Sequence, residues 1–193
     1  MKIYGDGKSG NCLKVKWTAD ALGLAHEWIE VDIMRGESRT ADFLAMNPAG
    51  QVPTVILGDG RPLAQSNAII LHLAEGSRLV PTDPYDRARM LEWMFWEQYS
   101  HEPYVAVARF QVKYLGKSVA DLEPRLVERA AAALQRLEDG LADSDFLVGE
   151  GVTLADVALV AYTRLAPEGG LDLDVYPRVK AWVARVEEAL KIT

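Results

Sequence analysis

Up to about residue 80 the apolar positions change their period every few residues, and beyond it they keep a helical period. This predicts an α/β unit followed by an all-helical one. Lys2 to Tyr4 reads as a short strand. Asn11 to Leu22 is rich in helix formers, with apolar Leu13, Trp17, Ala21 and Leu22 and with Gly23 as C-terminal cap. In EWIEVDI, Ile29, Val31 and Ile33 alternate with Glu30 and Asp32, the period of a half-buried strand. A strand, a helix and a second strand make a crossover unit with parallel strands. A short helical piece at Ala41 to Met46 follows, and then VPTVIL and RPLAQ flank Gly58-Asp59-Gly60, a hairpin signal. Ser66 is placed to cap the run NAIILHLAEG as a buried helix. The predicted order is β-α-β-α-β-β-α.

From Thr82 on, helices alone are predicted. Asp83-Pro84 pairs an N-cap with a proline at the first helical position, ahead of Met90, Leu91, Trp93, Met94 and Trp96. Pro103 is expected to bend or interrupt that helix. Near Asp121 to Leu141, the residues Val127, Ala130, Ala131, Leu134, Leu137 and Leu141 lie on one helical face. Thr153 and Asp156 in GVTLADVAL have the spacing of a capping box, with Val152 and Val157 placed as a hydrophobic staple. A last helix covers Tyr176 to Leu190, with Val179, Val183 and Val186 inward.

The chain has 193 residues, enough for a core without disulfides or structural metal. With 21 Lys and Arg against 28 Asp and Glu the net charge is −7, which disfavours nucleic acid as a partner. No apolar run approaches the roughly 20 residues needed to span a bilayer, and no export signal precedes the first strand. A protein of the cytoplasm, off the membrane, is therefore expected. The single cysteine, Cys12, cannot form an internal disulfide, and His26, His72 and His101 lack metal-ligand spacing, so no metal is expected.

YGDGKSGNC, residues 4 to 12, contains Gly5, Gly7 and Gly10 in the G-x-G-x-x-G spacing of a dinucleotide loop, and Asp32 stands where a ribose-binding carboxylate would be. A nucleotide fold needs more parallel strands than are predicted here. The plainer reading of the glycines is a tight turn from strand to helix.

Four stretches in order carry a resemblance. KSGNCLKV opens the first helix, NPAGQVPTV matches an N-P-x-G-x-V-P signature, QSNAIILHLAE resembles an E-S-x-A-I run, and GVTLADVAL matches a second-domain capping box. Together they resemble the cytosolic glutathione S-transferase family, in its bacterial, serine-type, theta-like form, over the whole chain. The resemblance implies an α/β thioredoxin-like N-terminal domain over residues 1–78, which binds glutathione, and an all-α C-terminal helical domain over 84–193, which contributes the electrophile pocket. It implies transfer of the glutathione thiolate to hydrophobic electrophiles, glutathione as cosubstrate, and a homodimer.

In that frame Ser9 is the first candidate to stabilise the thiolate, because a hydroxyl donor favours the charged sulfur. Asn11 is the second, since S-x-N-x-x-K-V also resembles bacterial classes in which a hydroxyl and an asparagine share the task. Cys12 is the third: in the first turn of a helix its pKa would drop, and it would form a mixed disulfide as cysteine-type classes do. The alternative for Cys12 is a small buried helix residue. For the rest of the ligand, Val52 and Pro53 offer main-chain pairing across a bond that is cis in the family, against the plainer reading of a strand start. Ser66, at a helix N-terminus, offers a carboxylate site or simply a cap. Gln65 replaces the usual glutamate beside the ligand's ammonium group, and Gln51 and Arg39 are candidates for the glycyl carboxylate, Arg39 alternatively being a solvated surface charge. Two rival functions remain: a glutathione-dependent thiol reductase or peroxidase working through Cys12, and a non-enzymatic interaction module on the same fold.

Overall fold

The structure, a computed structural model, describes residues 1–192. It divides into two compact units, one of residues 1–77 and one from Arg78 on. The first unit contains β1 (Lys2–Gly5), α1 (Gly10–Ala21), β2 (Glu27–Glu30), α2 (Ala41–Met46), β3 (Thr54–Ile56), β4 (Pro62–Ala64) and α3 (Ser66–Ala74). The sheet order is β2-β1-β3-β4. β1 runs parallel to β2, with Ile3 opposite Trp28, and antiparallel to β3, with Ile3 opposite Val55. Ile3 and Val55 are fully buried, as are Val15 and Ala19 of α1 and Ile69, Ile70 and Ala74 of α3, which packs against α1. Each large aliphatic side chain so buried contributes about 1.5–3 kcal/mol.

Three local details differ from the sequence reading. β2 ends at Glu30, not Ile33, because the Asp32 carboxylate accepts from the N–H groups of Met34 (2.9 Å) and Arg35 (3.1 Å) and turns the chain into a 3-10 turn. The hairpin closes with a three-residue loop, Leu57 N–H donating to the Arg61 carbonyl at 2.9 Å, and Gly60 takes the left-handed position at φ 86°. Ser66 is not the cap of α3: Gln65 holds that position with φ 70°, and Ser66 is the first helical residue.

The second unit is helical: α4 (Pro84–Trp96), α5 (Glu102–Lys113), α6 (Pro124–Gly140), α7 (Leu154–Thr163) and α8 (Pro177–Leu190). The chain passes from α4 to α5 through a π-helical turn, Glu97–His101. Pro103 accounts for it, because it has no N–H to donate and its ring crowds the carbonyl four residues back, so the turn widens without breaking. All ten residues of α7 are buried. The capping box predicted from Thr153 and Asp156 is formed, and Asp156 does more than cap. Its carboxylate also accepts from Leu147 N–H (3.0 Å) and Trp182 Nε1–H (2.8 Å), fixing the preceding loop and α8 to the start of α7. Burial pushes the Asp156 carboxyl up, while those donors oppose the shift. Glu138 of α6 acts similarly from outside the helix it serves, accepting from Arg178 N–H (3.2 Å) and Val179 N–H (3.0 Å) in the first turn of α8.

No helix of the described residues is long and apolar enough to cross a membrane. No group of three or more His, Cys, Asp or Glu among the described residues is placed to hold a metal.

Candidate active site

Strand register brings the candidate residues to one edge of the first unit's sheet. Tyr4 lies opposite Thr54, and Thr54 opposite Ala64. The segments just beyond those pairs, the loop from Gly5, the Val52–Pro53 bond and the Gln65–Ser66 turn, therefore leave the sheet side by side. Helices α1 and α3 both begin there, so the positive ends of two helix dipoles face the same edge.

The glycine loop is shaped for packing, not for phosphate. Gly5, Gly7 and Gly10 are not among the glycines at positive φ. A Cβ on Gly5 would lie 2.5 Å from Trp28 Cη2 and 3.0 Å from Cys12 Cβ, so glycine is required there by close approach. The N–H groups that a pyrophosphate would need have acceptors within the chain. Gly7 N–H donates to Glu30 Oε1 (2.9 Å), Lys8 N–H to Asp6 Oδ1 (2.8 Å) and Ser9 N–H to the Asp6 carbonyl (2.9 Å). A carboxylate, Glu30, braced by Trp28 Nε1–H at 2.7 Å, sits where the anion would go.

Ser9 is the N-cap of α1, yet its hydroxyl makes no bond to the N–H groups of that helix. Its carbonyl takes the first helical bonds, from Cys12 N–H (3.1 Å) and Leu13 N–H (3.0 Å). The hydroxyl lies in hydrogen-bonding reach of the Cys12 sulfur. Cys12 departs from the expectation for a helix-start thiol. It is 0% exposed, and burial pushes its thiol up to about 11, outweighing the bonds from Ser9 and from Asp6 N–H (3.4 Å) that favour the thiolate. The charges of Asp6 and Glu30 push it the same way as burial. At neutral pH Cys12 is a protonated interior side chain.

Asn11 occupies the junction between the two helix starts. Its Oδ1 accepts from Ser66 Oγ–H at 3.0 Å and from the Lys14 ammonium at 2.8 Å. Ser66 is 5% exposed, and Gln65 beside it is exposed and held at φ 70°, a backbone conformation that side chains other than glycine rarely adopt.

The NPAGQVP loop is organised by Asn47, which the sequence reading did not single out. Its amide donates to the Gln51 carbonyl (2.8 Å) and Thr54 Oγ1 (3.1 Å), and its oxygen accepts from Ala49 N–H (3.1 Å). The Val52–Pro53 bond is cis. Arg39 is exposed but not loose: its Nη1 donates to the Ala49 carbonyl at 3.1 Å, and a Cβ on Gly50 (φ 61°) would lie 2.5 Å from that nitrogen. The Gln51 side chain is exposed beside it.

Comparison with known proteins places the fold in a family. Residues 9–75 match the family described as glutathione S-transferase, N-terminal domain, and residues 94–189 match its C-terminal domain. The chain belongs to the glutathione S-transferase family, a family of transferase enzymes. It is 48% identical to a glutathione S-transferase of Pseudomonas fluorescens, with a TM-score of 0.92 over 96% of this chain and 94% of that one. It is 32% identical to glutathione S-transferase 3 of Zea mays (94% of this chain, 86% of that protein) and 29% identical to the disulfide-bond oxidoreductase YfcG of Escherichia coli (90% and 84%). A maleylacetoacetate isomerase of Methylobacterium extorquens, solved with malonate and glutathione bound, is 29% identical with a TM-score of 0.81 over 99% of this chain and 94% of that one.

Within this transferase the sequence reading overlooked two residues besides Asn47. The alternation in EWIEVDI marks Glu30 only as an outward strand position, although it fastens the loop at Gly7. Lys14 enters the sequence only as part of the S-x-N-x-x-K-V pattern, although its side chain is 0% exposed. A signal for Asn47 existed in the signature itself, since asparagine ahead of Pro-x-Gly favours side-chain bonds to nearby backbone.

Proposed function

We propose that this glutathione S-transferase binds glutathione at the converging edge of its first unit and transfers the thiolate to hydrophobic electrophiles. The observation that carries the reading is the Ser66–Asn11 hydrogen bond, which joins the starts of α1 and α3. One helix start then serves the sulfur and the other a carboxylate. Ser9 is the residue assigned to the thiolate, as in serine-type members: its hydroxyl is not spent on capping. Donation to sulfur stabilises the charged form and raises the thiolate fraction at neutral pH. Val52 and Pro53 are assigned to main-chain pairing with the cysteinyl unit, Gln65 and Ser66 to the γ-glutamyl end, and Arg39 and Gln51 to the glycyl carboxylate. The protein is assigned to the cytoplasm and to a homodimer, the latter checked by sedimentation.

Calorimetric titration with glutathione tests the reading, followed by turnover of an activated aryl halide by wild type and Ser9→Ala. Binding at millimolar concentration or tighter is expected, with a loss of about tenfold or more in kcat/KM for the variant. Absence of binding at 10 mM, taken as about ten times a weak ~1 mM site, overturns the reading.

The relationship to a disulfide-bond oxidoreductase favours a second reading, disulfide reduction. In this chain the attacking sulfur would be that of glutathione, because Cys12 is buried and protonated. One glutathione thiolate displaces a thiol from the substrate disulfide, giving a mixed disulfide. A second glutathione releases the other thiol, leaving glutathione disulfide. Retention of disulfide reduction in Cys12→Ala is the outcome that fits this route, and its loss returns the role to the cysteine.

A further inference from the structure

We propose that Lys14 is a positioning residue of the glutathione site, holding the Asn11 carboxamide while the Ser66 hydroxyl exchanges its proton from Asn11 to the γ-glutamyl carboxylate of the ligand. The proposal rests on the glutathione reading above and names a residue to which that reading gives no role.

Lys14 lies on α1 one turn after Asn11, with its side chain wholly buried. Lysine is among the residues least often buried completely, and an interior ammonium is costly unless it is hydrogen-bonded. A methionine of similar length would fill the same space without that cost. What the ammonium adds is a charge-assisted bond to Asn11 Oδ1 at 2.8 Å, converging on the oxygen that also accepts from Ser66 Oγ at 3.0 Å.

The chemistry follows from counting protons and lone pairs. A carboxamide oxygen has two lone pairs, and both are used here. A serine hydroxyl has one proton, and Ser66 spends it on Asn11. In that state the hydroxyl offers a carboxylate only lone pairs, which repel it. A carboxylate arriving at the N-terminus of α3 gains the hydroxyl bond only if the proton turns away from Asn11. Once it turns, the Asn11 oxygen keeps the charge-assisted bond from Lys14. Lys14 therefore makes the exchange cheap, and its charge partly offsets that of the arriving carboxylate. It acts through Asn11 and Ser66 without touching the ligand.

The test compares wild type, Lys14→Met, Asn11→Ala and the double variant, all full length. Each is titrated with glutathione and with the analogue 4-aminobutanoyl-cysteinyl-glycine, which lacks only the γ-glutamyl carboxylate. For Lys14→Met we expect Kd and KM for glutathione to rise about tenfold, kcat to stay within about twofold, and analogue affinity to match wild type. Asn11→Ala should weaken glutathione in the same selective way, and the double variant should be no weaker than the worse single one. Equal glutathione affinity in wild type and Lys14→Met overturns the proposal, as does an equal loss for both ligands, which is what a purely structural lysine would give. If Lys14→Met does not fold, Asn11→Ala decides by the same ligand comparison. Failure of wild type to bind glutathione overturns the glutathione reading and the proposal together, whereas wild-type binding with an unaffected Lys14→Met overturns the proposal alone.

Discussion

The Ser66 hydroxyl donates to the Asn11 carboxamide oxygen at 3.0 Å, a bond between residues 55 positions apart that ties the first turn of α3 to the first turn of α1. In the proposed site, backbone N–H groups at the start of α3 are the main anion donors, with the hydroxyl as an addition. Ser66→Ala should therefore weaken glutathione binding by about tenfold without abolishing it. It should also lower stability by about 1 kcal/mol through the lost bond to Asn11. Calorimetry and urea unfolding separate the two effects.

Cys12 supplies a pH-dependent prediction. Its thiol is held at about 11 in the folded protein against an ordinary value of 9.0. With rising pH the unfolded chain loses the proton first, so stability is unaffected below pH 9 and is lost between about 9 and 11. The expected loss is on the order of 2 kcal/mol at the upper end of that window. Denaturant midpoints of wild type and Cys12→Ala measured from pH 8 to 11 should converge as the wild-type penalty grows. In the same range, a maleimide should label the native thiol slowly at pH 8 and rapidly only once the protein is unfolded.

Gly50 carries two constraints that coincide. Its φ of 61° strains any side chain, and a Cβ would lie 2.5 Å from Arg39 Nη1 and 3.0 Å from the Ser38 carbonyl oxygen. Gly50→Ala should cost about 1–2 kcal/mol in stability and dislodge the Arg39 guanidinium from the Ala49 carbonyl. Under the proposed role of Arg39, glutathione affinity falls as well. A thermal shift together with a glutathione titration checks both, and an unchanged affinity would remove Arg39 from the site.

Asp156 is the corresponding test in the second unit. Its carboxylate receives bonds from Leu147 N–H, Thr153 N–H, Thr153 Oγ1–H and Trp182 Nε1–H, all buried. In Asp156→Asn one acceptor oxygen becomes an amide donor that faces other donors. The expected loss is about 3 kcal/mol, read from urea unfolding, with no direct effect on the glutathione site proposed in the first unit.

Much of the fold was legible because its signals are local. Asp83-Pro84 and the Thr153–Asp156 box form bonds within a few residues as predicted, and the Val52–Pro53 bond of the signature is cis as the resemblance implies. The places that differed are those where a side chain found a partner outside its own segment. Asp32 turned β2 aside by capping the next turn, and the Ser66 hydroxyl bonds Asn11 of α1 from inside α3 instead of capping it. The three glycines of YGDGKSGNC suggested a conformational need, and what Gly5 actually meets is the indole of Trp28 from a different strand.

The sequence by itself determined the order of elements and the family resemblance, because apolar period and short motifs are properties of neighbouring positions. Only the tertiary structure decided their chemistry. Whether Cys12 is a thiolate or a buried thiol depends on solvent access, and packing of α1 against the sheet and α3 removed it. Whether Lys14 is a surface charge or an interior donor depends on which face of α1 is covered, which sequence period alone did not reveal for a residue type normally found in water.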